Sequence, residues 1–160
     1  RQVTDVNAPP IKKMPVRVSA LDKLSHDVMR VQLQLPANTV FKYFAGQYLE
    51  FILRDGSRRA YSMATAPHVQ TTTPGVELHI RHMPGGLFTD QVFGTMKVKD
   101  ILRFEGPHGG FFLREESSKP VILLASGTGF APIKSIAGSL STMLRREKRA
   151  PDWTKFPYYY

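Results

Sequence analysis

The 160-residue sequence contains no cysteine. This absence excludes disulfide bonds, thiolate metal sites and a cysteine nucleophile, and it fits a reducing compartment, so we expect a cytoplasmic location. Long hydrophobic runs are missing as well, because no apolar stretch approaches the roughly 18 residues that a membrane-spanning helix needs. The opening residues, RQVTDVNAPP, lack a leading methionine and the apolar centre of a secretory signal. We expect no membrane span and interpret residues 1–12 as a linker that follows an upstream module.

Acidic residues are scarce relative to basic ones. The 13 Asp and Glu residues against 22 Lys and Arg residues give a formal charge of +9, which suits nucleic acid, a phosphate-rich cofactor or an acidic protein surface as a partner. We reject a nucleic-acid-binding barrel because the basic residues do not interleave with aromatic residues along adjacent segments. The run LRREKRA, at 144–150, is typical of a solvated helix end. Charge alone does not choose between a cofactor and a protein partner.

Short alternating segments dominate the first two thirds of the chain. In MRVQLQL, for example, Val31, Leu33 and Leu35 fall on one face of a strand and the polar residues fall on the other. Clusters of Gly, Pro, Asn and Asp separate these segments. The pattern predicts one short helix at 87–93 within a small antiparallel barrel or sandwich. The predicted strands lie at 15–21, 29–35, 47–54, 59–62, 76–83 and 101–106.

The pattern changes at Lys119. KPVILLASGTGFAP is a continuous apolar run closed by glycines, which predicts a strand buried on both faces. The residues that follow predict a helix with Pro132 in its first turn. Its apolar face would contain Ile133, Ile136, Ala137, Leu140 and Leu144. A buried strand, a glycine turn and a helix form the first half of a βαβ unit, so we expect a second domain that is begun and not finished.

Two glycine-rich segments have the chemistry of anion sites. ASGTGFAP, at 125–132, places glycines before a helix whose first turn offers free N–H groups and a positive dipole end. HMPGGLFTDQVF, at 82–93, places Gly85 and Gly86 before a second helix and adds the hydroxyl of Thr89. Each segment alone is also compatible with an ordinary tight turn, so both alternatives stay open at this point.

The segment RAYS, at 59–62, combines groups that can bind a flat, charged cofactor. On a strand, Arg59 and Tyr61 share one face, and Ala60 and Ser62 share the other. A guanidinium binds phosphate through two parallel hydrogen bonds, and a tyrosine ring offers a stacking surface. For RAYS alone, an edge strand with polar side chains is the simpler explanation. Together with the two glycine-rich segments, however, it supplies what a flavin dinucleotide requires: a ring platform, a pyrophosphate site and a nearby nucleotide site.

The histidines do not indicate a metal site. They are scattered through predicted turns and strand edges with few carboxylates close by in sequence, so we expect solvent-exposed or turn histidines and no bound metal. The five are His26, His68, His79, His82 and His108.

From about Met14 to Arg145, the chain resembles the FAD domain and first nucleotide-domain turn of the ferredoxin–NADP⁺ reductase-like flavoproteins. The segments that carry the resemblance, in family order, are FAGQYLEF, RAYSMATAP, LHIRHMPGGLFTD, FEGPHGGFFLRE and GTGFAPIKS. KKMPVRV and DVMRVQLQLPAN are similar to the CDP-6-deoxy-glucoseen reductase branch. The resemblance implies a mainly β fold, with a six-stranded antiparallel Greek-key FAD-binding barrel and one short helix over 13–116. Residues 117–160 would then be the truncated start of an α/β NAD(P)-binding domain.

The resemblance also implies roles for individual residues. Arg59 would bind the FAD phosphates, and the backbone at 79–81 would line the flavin. Residues 86–89 would hold the pyrophosphate, and residues 127–129 would receive NAD(P)H. The candidate catalytic residues are Tyr61, stacked on the isoalloxazine, Ser62, bonded near flavin N5, and Thr128, where nicotinamide meets flavin. The candidate cofactor-binding residues are Arg59, Ala60, Tyr61, Ser62, His79, Ile80, Arg81, Gly86, Leu87, Phe88, Thr89, Gly127, Thr128 and Gly129.

The implied reaction is hydride transfer from NAD(P)H to FAD, followed by single-electron transfer to a [2Fe-2S] centre. That centre would lie on an upstream domain or on a separate ferredoxin-like partner. A reductase component of a ring-hydroxylating oxygenase and a simple flavin reductase are enzymatic alternatives, and an FAD- or partner-binding module without activity is the alternative from another class. The usual double glycine is Ser126-Gly127 here. We expect the 160-residue chain to bind FAD and to oxidise NAD(P)H slowly.

Overall fold

The computed structural model describes residues 8–71 and 74–147. Most of the predicted linker and the segment DWTKFPYYY lie outside these ranges. The described strands are β1 (Lys12–Lys23), β2 (Val28–Gln34), β3 (Tyr48–Ile52), β4 (Arg58–Ser62), β5 (Gly75–Arg81) and β6 (Ile101–His108). The described α-helices are α1 (Leu87–Gly94) and α2 (Phe130–Arg146). The short helix predicted at 87–93 is therefore confirmed as α1.

The six strands form one sheet in the order β4-β3-β6-β1-β2-β5, and each adjacent pair is antiparallel. The predicted six-stranded, mainly β fold is confirmed. The predicted closure into a barrel is corrected, because β4 and β5 are the two edges of an open sheet. They approach each other, and an isolated bridge joins Met63 to Leu78. The N–H of Ala64 still donates to the carbonyl oxygen of Glu77 at 2.8 Å, and the chain then enters the 3₁₀ turn Pro67–Thr71.

The sheet curls around a single hydrophobic core. Residues on one face of each strand point into it, as period-two alternation requires; in β2, Val31 and Leu33 are buried, as predicted. Phe88 of α1 is only 1% exposed and belongs to the same core. Full burial of a side chain of this size stabilises the fold by roughly 1.5–3 kcal/mol. Helix α1 is therefore fixed to the sheet by its second residue.

The strand predicted after Lys119 is corrected. Residues 117–126 have no regular secondary structure, and Ile122 and Leu124 are 82% and 86% exposed. A strand requires a neighbour that satisfies its backbone hydrogen bonds, and no described strand pairs with this segment. Its apolar sequence is suited to a strand in the interior of a sheet, but the described part of the chain contains no strand beside which it lies.

The helix predicted after the glycine turn is confirmed as α2, and Ile136 of its predicted apolar face is buried, but the rest of the buried face differs from the prediction. The buried residues are Ala131, Ser135, Ile136 and Ser139. Small residues allow close packing: a Cβ built on Gly138 would lie 3.0 Å from the Cβ of Ala66. The Ser135 hydroxyl also donates a hydrogen bond to the carbonyl oxygen of Thr65 at 2.8 Å. Helix α2 therefore packs closely on the segment that follows β4.

The other predicted apolar positions of α2 are half-buried: Ile133, Ala137, Leu140 and Leu144. They lie on a side of the helix that is more apolar than the side packed against Thr65 and Ala66. Within the described ranges, neither α-helix has the length and hydropathy needed to cross a membrane.

Candidate functional site

The four predicted site segments meet where the edges of the sheet approach each other. We call this region the rim; it consists of residues 58–63, β5, residues 86–89 and residues 127–130. Three contacts connect these parts: the rings of Tyr61 and Phe88 at 5.7 Å between centroids, the bridge from Met63 to Leu78, and the stacked rings of His79 and Phe130 at 6.3 Å. The fold thus brings together segments that are distant in sequence.

Arg59 carries a charge that is available to a ligand. Among the described residues its guanidinium forms no ion pair, and its Nη1 donates a hydrogen bond to the carbonyl oxygen of Arg58 at 2.8 Å. The guanidinium of Arg58, by contrast, binds the carboxylates of Glu50 at 3.0 Å and Glu105 at 2.8 Å. Because guanidinium donors match the geometry of phosphate oxygens, Arg59 fits a phosphate-binding role and Arg58 does not.

Tyr61 lies half-buried beside Arg59 on the core side of the sheet. Its ring packs against Phe51 at 6.0 Å and Phe88 at 5.7 Å between centroids. Burial raises the pKa of the Tyr61 phenol, and the nearby charge of Arg59 acts in the opposite direction. The phenol is therefore a neutral hydrogen-bond donor at pH 7. On the other side of β4, Ala60 is exposed and Ser62 is half-buried.

The loop before α1 is held by its own hydrogen bonds. The Thr89 hydroxyl accepts a bond from the backbone N–H of Met83 at 3.1 Å and donates one to the Met83 carbonyl oxygen at 2.9 Å. The N–H of Gly86 donates to the same carbonyl oxygen at 2.8 Å. The N–H of Gly85 donates to the carboxylate of Asp90 at 3.2 Å. The backbone donors of both glycines are thus already in use.

The donors left for an anion are those of the first turn of α1. The N–H groups of Leu87, Phe88 and Thr89 have no acceptor within the helix, because the first turn of any α-helix leaves its donors unpaired. The side chain of Phe88 is in the core, so this residue can offer a ligand only its backbone. A Cβ on Gly86 would lie 2.7 Å from the Thr89 hydroxyl oxygen and 2.9 Å from the Met83 carbonyl oxygen. The close approach of these groups therefore requires glycine at position 86.

Strand β5 contributes mainly its backbone to the rim. The side chain of Ile80 is in the core, and that of Arg81 points to solvent, where it pairs with Asp27 at 2.8 Å. His79 is 8% exposed, and its Nε2 lies 2.7 Å from a carboxylate oxygen of Glu77. The expectation of a solvent-exposed or turn histidine is thus wrong for His79, because Glu77 and the ring of Phe130 cover it.

The turn Gly127–Gly129 forms one 3₁₀ turn directly before α2. Gly127 has a φ of +53°, which side chains rarely adopt, and a Cβ on either Gly127 or Gly129 would meet nothing within 4 Å. Both glycines are exposed and Thr128 is partly exposed. The turn therefore leaves open space at the start of α2, where the positive end of the helix dipole favours an anionic group.

The sequence analysis missed a polar contact between β5 and α2. One carboxylate oxygen of Glu77 accepts hydrogen bonds from the Nζ of Lys134 at 2.6 Å and from the Nε2 of His79 at 2.7 Å. The bond from His79, followed by that from Lys134, lowers the pKa of Glu77 to about 2, although burial acts in the opposite direction. A glutamate on the outer face of the predicted strand and a lysine one turn into the predicted helix were the available signals. No local pattern links residues 57 positions apart.

A second carboxylate cluster lies on the outer face of β3 and β6. Glu50, Glu105 and His108 have possible metal-ligand atoms within 4.8 Å of one another. Both carboxylates already bind Arg58, and Glu105 also binds Lys13 at 3.2 Å. The hydrogen bond from Arg58 is the main reason that the pKa of Glu105 falls to about 2. These cations already compensate the carboxylates, so we interpret the cluster as an ion-pair network.

Known proteins are similar to this chain in sequence and fold. The family described as the oxidoreductase FAD-binding domain matches residues 15–113, which is more than half of the chain. The CDP-6-deoxy-L-threo-D-glycero-4-hexulose-3-dehydrase reductase of Yersinia pestis is 39% identical over 129 residues, covering 81% of this chain and 38% of that protein. Reductase component 1 of terephthalate 1,2-dioxygenase from a Comamonas species is 40% identical over 130 residues, with the same coverage of each protein.

A solved structure agrees with these relatives. An Amycolatopsis cytochrome P450 reductase has a TM-score of 0.77 and 31% identity, over 89% of this chain and 42% of that one. The chain thus spans about two fifths of the length of the proteins it matches. The resemblance to ferredoxin–NADP⁺ reductase-like flavoproteins is confirmed. The chain belongs to the oxidoreductase FAD-binding domain family.

Proposed function

We propose that this chain is the FAD-binding part of an NAD(P)H-dependent oxidoreductase that passes electrons from NAD(P)H through FAD to an iron–sulfur centre. Residues 13–116 would be the FAD-binding domain, and residues 117–160 would begin the NAD(P)-binding domain. The observation that carries the proposal is the rim, where a guanidinium without a described ion pair lies beside a half-buried tyrosine and two glycine turns.

The donors of the rim fit the FAD phosphates. Arg59 and the first-turn N–H groups of α1 would hold the pyrophosphate, and the exposed part of the Tyr61 ring would contact the isoalloxazine. The backbone at 79–81 would line the flavin, and the Ser62 hydroxyl would donate a hydrogen bond near N5. Bound FAD would supply the hydride and single-electron chemistry. The chain's own residues would set distance and orientation, and no protein nucleophile is required.

Two groups of this chain would shape the nucleotide side of the site. The exposed turn Gly127–Gly129 would admit the nicotinamide, and Thr128 would position it against the flavin. The α2 N-terminus would favour the nucleotide's negative charge, because the first turn of α2 contains no acidic side chain.

The acceptor would be a [2Fe-2S] centre, on an upstream domain or on a ferredoxin-like partner. The relatives include a CDP-hexulose dehydrase reductase at 39% identity and a terephthalate dioxygenase reductase component at 40%. Identity therefore supports a CDP-glucoseen reductase type and the reductase of a ring-hydroxylating oxygenase equally. A simple flavin reductase and an FAD-binding module without activity are the remaining candidates. The lack of cysteine fits a cytoplasmic location.

The direct test is the absorption spectrum of the purified chain. We expect flavin bands, released on denaturation, from a compound that migrates as FAD. A colourless protein that also fails to bind added FAD would contradict the proposal.

Activity separates the enzyme from the inactive module. We expect slow NAD(P)H-dependent dye reduction by the 160-residue chain with FAD bound. Rapid turnover would show that residues 1–160 suffice for catalysis, and complete inactivity with tight FAD binding would favour the module.

A further inference from the structure

We propose that Glu77 is a positioning residue that fixes the turn Gly127–Gly129 over strand β5, acting through His79 and Lys134. We call these three side chains the Glu77 clamp. The inference rests on the proposed function in one respect, namely that this turn receives the nucleotide. Its structural content, the attachment of the turn to β5, can be tested separately.

The backbone of Glu77 is held in place by hydrogen bonds. The backbone N–H of Glu77 donates to the Thr65 hydroxyl at 2.7 Å, and its carbonyl oxygen accepts from the N–H of Ala64 at 2.8 Å. Strand β5 is also paired along its length with β2. The carboxylate of Glu77 therefore extends from a backbone that is bonded on both sides.

The clamp then holds α2 at two places one helical turn apart. Lys134 donates directly to the Glu77 carboxylate at 2.6 Å. Phe130 stacks at 6.3 Å on the ring of His79, which is bonded to the same carboxylate oxygen. Residues four apart lie on the same face of a helix, so the two contacts fix both the position and the direction of the first turn of α2.

The glycine turn depends on this attachment. Gly127 and Gly129 have no side chains, and Cβ atoms built there would meet nothing within 4 Å. The turn is covalently continuous with Phe130, so its place over β5 is set by whatever holds the start of α2. The Glu77 carboxylate serves both contacts, and its side chain is only 14% exposed.

Loss of the clamp should loosen the turn without unfolding the chain. Removing one partner of a buried charge pair leaves the other uncompensated, but the side chain of Lys134 is 42% exposed and can be hydrated. The hydroxyl of Ser135 would still bond to Thr65 and keep the next part of α2 attached. The expected change is therefore local.

The test is amide hydrogen exchange at the hydrogen-bonded amides of Gly129 and Phe130 and over residues 133–137, in the wild-type chain and in Glu77→Gln. We expect exchange there to be at least about tenfold faster in Glu77→Gln, with little change in β1 and β6. Glu105→Gln is the matched control, because Glu105 is also a carboxylate bonded to cations but lies on another face. Wild-type exchange in Glu77→Gln, or equal acceleration in Glu105→Gln, would overturn the proposal.

A conservative substitution distinguishes positioning from packing. Lys134→Met should accelerate exchange of the turn as Glu77→Gln does, whereas Lys134→Arg should restore slow exchange because it keeps the cation. If Lys134→Arg behaved like Lys134→Met, the ion pair would not be the cause. Thermal unfolding followed by far-ultraviolet circular dichroism checks that each variant remains folded.

FAD binding by the same samples separates the two proposals. If the wild-type chain fails to bind FAD, the proposed function fails, and the exchange data still decide whether the clamp exists. If the wild-type chain binds FAD but Glu77→Gln leaves exchange unchanged, the clamp fails and the proposed function stands.

Discussion

Two regions of this molecule use the same charged residue types for different purposes. On the outer face of β3 and β6, the guanidinium of Arg58 is bonded to Glu50 and Glu105. At the rim, Arg59 forms no ion pair with a described residue, and the carboxylate of Glu77 takes its cation from α2, a separate part of the fold. Adjacent arginines on opposite sides of β4 thus differ in what neutralises them.

The difference separates a cation that is paired with carboxylates of the same sheet, Arg58, from one that forms no ion pair with a described residue, Arg59. A cation surrounded by its own carboxylates has little reason to bind an external phosphate, and surface pairs of this kind contribute little to stability. A cation beside a half-buried aromatic ring, without such partners, retains its donors. The resemblance assigns a phosphate role to Arg59 and none to Arg58, and the ion pairs of Arg58 add a physical difference between the two.

Exchanging the two arginines for alanine gives the largest expected effect. Arg59→Ala should weaken FAD binding by roughly 10- to 100-fold, as expected for loss of hydrogen bonds to a charged group. Arg58→Ala should leave the affinity near that of the wild type. Titration of the apoprotein with FAD, followed by flavin fluorescence, measures both. Equal losses in the two variants would remove the distinction between the regions.

Alanine substitutions of two glycines, Gly86 before α1 and Gly94 at its end, test whether the loop before α1 is closely packed. Gly86→Ala should destabilise the fold by roughly 1–3 kcal/mol and weaken FAD binding, because its Cβ would overlap Thr89 and Met83. At Gly94, the end of α1, a Cβ meets nothing within 4 Å, so Gly94→Ala should be neutral or stabilising by up to about 1 kcal/mol. Urea unfolding compares the two; similar stability would argue against a tight loop at position 86.

We expect a smaller effect of pH on the stability of the fold, through the two carboxylates that are bonded to cations, Glu77 and Glu105. The pKa values of Glu77 and Glu105 both fall from the ordinary 4.5 to about 2 in the folded chain. Groups with lowered pKa values stabilise the fold fully above pH 4.5 and lose that contribution as pH falls toward 2. We expect unfolding midpoints in urea to decrease between pH 5 and pH 3, less steeply in Glu77→Gln and in Glu105→Gln. An unchanged slope in Glu77→Gln would mean that its carboxylate is not bonded as described.

Much of the fold could be predicted from local pattern. Alternation identified the strands, because the core side of each strand is apolar and the other side is polar, as β2 shows. The strand after Lys119 could not be predicted correctly in the same way. Its sequence is suited to a buried strand, but a strand forms only when a neighbouring strand pairs with it. The residue pattern shows the preference of the segment and not whether such a neighbour is present.

The site divides in the same manner. Glycine turns and RAYS carry local chemistry, so their segments could be identified before the fold was known. The Glu77 clamp could not be, since Glu77 and Lys134 are joined only by the packing of α2. The buried face of α2 was predicted only in part: Ile136 is buried, but the helix approaches Thr65 and Ala66 through Ser135 and Gly138 rather than through its larger apolar side chains.

The packing of the small residues of α2 sets the tilt of the helix. A helix of 17 residues is about 25 Å long, so each degree of tilt at its start displaces its far end by roughly 0.4 Å. One added methyl group at Gly138 or Ser135 would press against the segment that follows β4 and would tilt α2. The close contact with Ala66 and Thr65 therefore sets the direction of α2, and a small shift at this contact would displace Arg146 by a larger distance.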